Sequence, residues 1–156
     1  PVFEQINIRP ILEEIIRNIQ EKYPKTKFQL HIAAGLQELE ADRTGLVSIL
    51  INLIENAAKY SEQPGIVDID ISAERAVVRI KIADQGIGIP DQEKTKIFSQ
   101  FYRIGNEDTR KTKGTGLGLY IVDQIIGSHQ GTISVTENQP KGSIFTIELP
   151  WKQQKT

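Results

Sequence analysis

A carboxylate followed by two glycines is the first arrangement in this sequence that could do chemistry. It lies in the run DQGIGIP at 84–90, directly after an alternating apolar stretch. Asp84 at a strand end could accept a hydrogen bond from a planar exocyclic amine. Gly86 and Gly88 would let an aromatic ring lie against bare backbone, with Ile87 and Ile89 as apolar walls. Taken alone, a Gly-x-Gly after a strand is equally a turn with positive φ. It is not the dinucleotide fingerprint, which needs a third glycine opening a helix.

A second arrangement is a polar stripe on a helix. At 100° per residue, Asn52, Asn56 and Lys59 fall within about 60° of one another, beside an apolar face of Ile49, Leu50, Leu53, Ile54 and Ala57. Such a stripe can be plain solvated surface. It can also do hard-cation chemistry, because an amide oxygen is an acceptable Mg²⁺ ligand and a lysine reaches a phosphate as a point charge. A third arrangement is KGTGLGLYIV at 113–122, where three glycines precede a helix. Free backbone N–H groups at a helix N-terminus make an anion cradle, although close packing or a hinge would also use these glycines. The preceding stretch 103–113 carries Arg103, Arg110, Lys111 and Lys113 against Glu107 and Asp108, and reads as a solvated loop or a basic lid over a polyphosphate. A fourth, KIFSQFYR at 96–103, places Ile97, Phe98 and Phe101 at packing spacing.

The elements that position these groups are legible from periodicity. Ile11, Leu12, Ile15, Ile16 and Ile19 predict a helix over 10–23, with Pro10 in its first turn and Pro24 ending it. A second helix is expected from Asp42, as N-cap, to Tyr60. Strands are expected at 27–33, 66–72, 76–83, 132–137 and 143–149, the last two joined by a turn at Pro140-Lys141-Gly142. A short helix is expected at 91–101, a mobile loop at 103–113, and a third helix at about 117–128 with Leu117, Tyr120, Ile121, Gln124 and Ile125 on one side. This order suggests a mixed sheet with helices packed on one face.

Composition narrows the function classes. With 156 residues the chain reads as one domain, 1–156, long enough for a real core. A net charge of −1 gives no global attraction to nucleic acid or an anionic membrane. The absence of Cys excludes disulfide scaffolds, thiolate metal sites and Cys nucleophiles, and two His are too few for a multi-His cage. No apolar run approaches a membrane span, and nothing at the start reads as a signal peptide. Starting at Pro1 without any Met, the sequence reads as a piece of a longer protein.

Together, NLIENAAKYS at 52–61, DQGIGIP at 84–90, IFSQFYR at 97–103 and GTGLGLYIV at 114–122 resemble, in order, the N, G1, F and G2 boxes of the histidine kinase catalytic and ATP-binding domain. The likeness covers almost the whole chain and extends to SIFTIELP at 143–150. It implies an α/β two-layer sandwich, a five-stranded mixed sheet with three helices on one face, and ATP bound between the second and third helices under a mobile lid at about 103–115. It implies Asn56 as the Mg²⁺ ligand, Asn52 as a second polar contact, and Lys59 and Tyr60 at the phosphates or ribose. Asp84 would recognise the adenine amine, Gly86 and Gly88 would give the backbone room, and Ile89 would pack on the base. Tyr102, Arg103, Lys113 and the backbone of Gly114, Thr115, Gly116, Leu117 and Gly118 would complete the nucleotide site, with Phe98 and Phe101 anchoring the lid.

The resemblance also sets the branch. ATP-hydrolysing relatives carry a Glu four residues before the metal-binding Asn, and this chain has Asn52 there. An amide cannot take up a proton at neutral pH, so transfer to a histidine is favoured over hydrolysis. Glu55 is no substitute, being about 100° round the helix from Asn56 and placed to pair with Lys59. The acceptor of such kinases is a His followed by an acidic residue on a separate dimerisation hairpin; His31 and His129 do not fit, and core or helix-terminus roles are expected for both. The expected partners are therefore ATP, that hairpin and, downstream, a response-regulator receiver domain, for a monomeric cytoplasmic domain without membrane contact. A protein-serine kinase of the anti-sigma type and a nucleotide-binding regulatory module without transfer are the alternatives.

Overall fold

The structure, a computed structural model, describes residues 1–36, 38–99 and 118–152. Helix α1 (Ile8–Lys22) begins where the Asn7 side chain accepts from the Arg9 amide, and buries Ile8, Leu12, Ile15 and Ile19. Helix α2 (Arg43–Tyr60) is capped by Asp42, whose Oδ2 accepts from the Gly45 amide at 2.9 Å. Its inward face carries Leu46, Ile49, Leu50, Leu53, Ile54, Ala57 and Ala58, all buried. Helix α3 (Gly118–Ser128) buries Val122 and Ile126.

Five strands form the main sheet: β2 (Thr26–Ile32), β4 (Gly65–Glu74), β5 (Val77–Ala83), β6 (Thr132–Glu137) and β7 (Ser143–Pro150). Their order is β2-β4-β5-β7-β6, with β2 parallel to β4 and every other pair antiparallel. Strict alternation sends Val67, Ile69 and Ile71 of β4 and Val78, Ile80 and Ile82 of β5 into the core, and leaves Asp68, Asp70 and Lys81 exposed. The expected sandwich of a five-stranded mixed sheet and three helices is the fold observed.

Four details depart from expectation. Strands β1 (Phe3–Asn7) and β3 (Glu38–Asp42) pair antiparallel into a ribbon of their own, which the sequence reading left out. The ribbon buries Ile6, Leu39 and Ala41, and Trp151 ties it to the main sheet: its amide donates to the Ala76 carbonyl, its Nε1 to the Glu38 carbonyl, and its carbonyl accepts from the Glu40 amide. The short helix expected at 91–101 is instead a 3₁₀ turn at Asp91–Glu93, followed by further turns as far as Ser99, the last described residue of that segment. The i→i+3 bonds from the Glu93, Lys94, Lys96 and Ser99 amides make this a run of tight turns, with an α-type bond, from the Ile97 amide to the Glu93 carbonyl, among them. In α3 the buried stripe is Val122 and Ile126, while Ile121, expected among the residues of one side, is 42 % exposed. His31, expected to be buried or at a helix end, lies exposed on β2.

Candidate functional site

Asp84 follows directly on β5 and is 6 % exposed. Four hydrogen bonds fix it. Its amide donates to the Ser143 carbonyl (2.9 Å), and its carbonyl accepts from Asn138 Nδ2 (2.7 Å). Its Oδ1 accepts from the amides of Gly86 (2.8 Å) and Ser143 (3.3 Å). Burial pushes the carboxyl above the usual carboxylate range, and those two amides pull against it. Both backbone donors converge on one oxygen, and among the described residues no hydrogen bond reaches the other.

Backbone geometry alone requires the glycines around Asp84. A Cβ on Gly86 would lie 2.2 Å from the Tyr60 carbonyl oxygen, and one on Gly142 would lie 2.1 Å from the Asp84 carbonyl oxygen, where Gly142 also has φ +104°. Gly86 thus admits the C-terminal end of α2, to which it is bridged through Ser61. Gly88, with φ +75°, is the positive-φ turn. Ile89 packs on the core from a half-buried position, whereas Ile87 is 77 % exposed.

Asn52, Asn56 and Lys59 are half-buried along one side of α2. Asn52 Nδ2 donates to the Ser48 carbonyl one turn back (2.7 Å), and its Oδ1 would lie 2.8 Å from a Cβ on Gly118. Glycine at the start of α3 therefore lets that helix end rest on Asn52. Lys59 Nζ lies 5.7 Å from the centre of the Tyr60 ring, which is 43 % exposed. Glu55 makes its ion pair with Lys22 of α1 (2.8 Å), not the i+4 pair with Lys59 that spacing suggested. The tertiary approach of α1 supplies a partner that helix geometry alone could not indicate.

Two contacts assemble these pieces. Ser61 bridges Gly86, joining the end of α2 to the Asp84 loop, and Gly118 meets Asn52, joining α3 to the stripe. Phe98 packs edge-on against Phe145, with ring centres 6.4 Å apart. Phe101, Tyr102, Arg103, Lys113, Gly114, Thr115, Gly116 and Leu117 lie outside the described residues. Asn138, Gly142 and Ser143 were missed; the turn that holds them was foreseen, but its pairing with Asp84 follows from the register of β5 on β7, where Ala83 faces Ile144. His129, 1 % exposed at the end of α3, holds the helix-terminus position expected of it.

The residues present fit a magnesium–nucleotide complex. Among the described residues no group of three or more His, Asp or Glu is placed to cage a cation. A half-buried amide oxygen at Asn56 suits a cation that brings phosphate and water as its remaining ligands, which is how Mg²⁺ is usually held.

Comparison with known proteins agrees with this geometry. Residues 41–153 match the family described as histidine kinase-, DNA gyrase B- and HSP90-like ATPases. The sensor histidine kinase WalK of Bacillus subtilis (strain 168) is 39 % identical over 119 residues, covering 75 % of this chain and 20 % of that protein. The sensor histidine kinase RppB of Synechocystis is 34 % identical over 145 residues, covering 89 % of this chain and 32 % of that protein. The chain thus spans a third or less of the length of these curated relatives. Among solved structures, the catalytic domain of the histidine kinase ThkA superposes with a TM-score of 0.85 at 32 % identity, over 97 % of this chain and 99 % of that one. A buried acceptor after β5, an amide stripe on α2 and a glycine-opened α3 thus occur in a chain that belongs to the histidine kinase-, DNA gyrase B- and HSP90-like ATPase family, as an ATP-binding catalytic domain of the histidine kinase kind.

Proposed function

We propose that this domain binds Mg-ATP and presents its γ-phosphoryl group to a histidine on a separate dimerisation hairpin. The observation that carries this reading is Asp84: a buried carboxylate with one oxygen saturated by backbone amides and the other left for the adenine amine. From that anchor the nucleotide runs toward α2. Lys59 and Tyr60 meet the ribose or phosphates, Asn52 is a polar phosphate contact, and Asn56 supplies the metal ligand. A magnesium ion held there would neutralise charge on the phosphate oxygens.

The segment 103–115 closes over the polyphosphate, with Tyr102, Arg103, Lys113 and the backbone of Gly114, Thr115, Gly116, Leu117 and Gly118 around it. The work of the protein is positioning and charge neutralisation. In the transfer the bond from Pγ to its bridging oxygen breaks, and the imidazole nitrogen forms a new bond to Pγ. ADP leaves with the electron pair. The Asn52 amide cannot take up a proton from water, which disfavours water as the competing nucleophile.

A receiver domain of a response regulator is the downstream acceptor; ThkA, which this chain resembles at 28 % identity, is recorded in complex with the response regulator TrrA. No helix among the described residues is long and apolar enough to cross a membrane, and the domain works in the cytoplasm, where ATP is. The test is incubation with labelled ATP and a His-bearing hairpin. Acid-labile label on the hairpin is the expected result; acid-stable phosphoserine on a partner, or tight binding with no transfer, would overturn it.

A further inference from the structure

His129 is buried in a place the reaction does not touch, yet three separate elements converge on it. Its Nε2 accepts from the amide of Asp42, the N-cap of α2, at 3.0 Å. An N–H donor at Nε2 requires that nitrogen to be unprotonated, so the ring proton sits on Nδ1, where the Ile125 carbonyl of α3 lies 2.8 Å away. The edge of the ring meets Phe3 of β1, with centres 5.2 Å apart and planes at 84°. Asp42 is itself held twice more: Oδ1 by the Val2 amide (3.0 Å) and Oδ2 by the Gly45 amide (2.9 Å), contacts that keep its carboxyl below the usual range.

Gly45 forms the matching notch on α2. A Cβ there would stand 2.9 Å from Ile125 Cγ2 and 3.3 Å from His129 Cε1. The helices therefore run antiparallel, joined at two points: His129 and Gly45 at one end, Gly118 and Asn52 at the other. Eleven residues of helix, about 16 Å at 1.5 Å per residue, separate the two ends of α3.

We propose that His129 is a positioning residue for the nucleotide's phosphates: it pins the C-terminal end of α3 to the start of α2, and so sets where Gly118 rests on Asn52. The proposal rests on the reading above that Asn52 and Asn56 face the phosphates. Through a rigid α3, a shift at the pinned end becomes a shift at Gly118, and Asn52, whose Oδ1 abuts that glycine, must turn. Asp84 is fixed by β7 and the 138–143 turn instead, and does not depend on the pin.

Two nearly isosteric variants separate the two hydrogen bonds. In His129→Gln the amide oxygen can stand where Nε2 stood and still accept from Asp42. In His129→Asn the amide nitrogen replaces Nδ1, reaching Ile125 but not Asp42. Calorimetry with Mg-ATP and with adenosine, at a temperature where each variant is folded, reads the outcome. The expected result is about tenfold weaker Mg-ATP binding for His129→Asn, near wild-type binding for His129→Gln, and unchanged adenosine affinity for both.

Gly45→Ala, whose methyl crowds Ile125 and the imidazole edge and so pushes the same helix ends apart while leaving His129 in place, is expected to weaken Mg-ATP selectively as well, and serves if His129→Asn fails to fold. Equal affinities in all variants, or parallel losses for Mg-ATP and adenosine, would overturn the proposal. Failure of Asn56→Ala to weaken Mg-ATP in the wild-type background would overturn the underlying site reading instead.

Discussion

The two ends of the candidate site are built on opposite principles. Around Asp84 the structure is made of main chain: three segments, at 60–61, 84–88 and 138–143, approach so closely that Gly86 and Gly142 have no room for a methyl group. Along α2 it is made of side chains: Asn52, Asn56 and Lys59 stand on a helix that would keep its backbone whatever they were. A change at the first end is felt by the fold; on the function proposed above, a change at the second is felt by the ligand.

Substitution of the glycines should break the comparison most severely. Gly142→Ala combines a left-handed φ with a contact of 2.1 Å to the Asp84 carbonyl oxygen. A cost of about 3 kcal/mol or more is expected, seen as a large fall in Tm without ligand. A Tm within 2 °C of wild type, about 0.5–1 kcal/mol for a domain of this size, would mean the turn is not wedged against β5. At the other end, Asn56→Ala should leave Tm unchanged and weaken Mg-ATP by about 10–100-fold, the range typical for losing a metal-site contact. Titration with and without Mg²⁺ checks it, the loss being confined to the magnesium-dependent part.

Asp84→Asn sharpens the contrast within the rigid end. Oδ1 must go on accepting from Gly86 and Ser143, so the new NH₂ takes the place of the free oxygen. A donor then faces the purine's exocyclic group. Adenine selectivity should be lost and partly reversed toward a purine with a carbonyl there, by about tenfold in the ratio of ATP to GTP affinities. Unchanged ATP and GTP affinities would show the base lies elsewhere.

The same carboxylate gives the base end a pH dependence. Burial raises its folded pKa above the unfolded value. Below the unfolded pKa both states are protonated and nothing is lost. As pH rises through the unfolded pKa toward the raised folded one, the buried charge becomes a penalty, complete above the folded value. An amine donor offsets that penalty, so ATP binding should release protons near the raised pKa and weaken as pH falls through it. Calorimetry in buffers of different ionisation enthalpy measures the release, and Asp84→Asn should abolish it.

How much of this could be read from the sequence follows the same division. The stripe Asn52-Asn56-Lys59 and its apolar neighbours were legible because a helix fixes them by local periodicity, and Asp84 because a strand end fixes it. What escaped depends on tertiary approach. The ribbon strands are five residues each, so Ile6 alone in β1 and Leu39 and Ala41 in β3 gave too short an alternation to be recognised. In α3, Leu119, Tyr120, Ile121, Val122, Ile125 and Ile126 spread apolar groups over much of the circumference, and only packing on α2 decides that Val122 and Ile126 face inward. Gly86 was recognisable as a glycine that backbone geometry requires, but that Tyr60 occupies the space beside it is written in no local pattern.

The smallest expected effect concerns Glu55, next to Asn56 in sequence and the one carboxylate on α2 near the phosphate end. If it acted as a base for water, its removal would abolish ATP hydrolysis; if it paired with Lys59, its removal would disturb the cation that the proposed function sets at the phosphates. Its ion pair is instead with Lys22, an exposed lysine on α1, and that pair raises the Lys22 pKa. Exposed pairs of this kind are screened by solvent and salt and contribute little. Glu55→Gln should therefore leave Tm, Mg-ATP affinity and the slow background hydrolysis of ATP unchanged, measured by melting, calorimetry and phosphate release. A clear drop in hydrolysis would place a proton acceptor on this helix after all, and the phosphate end would then hold both charge and a base.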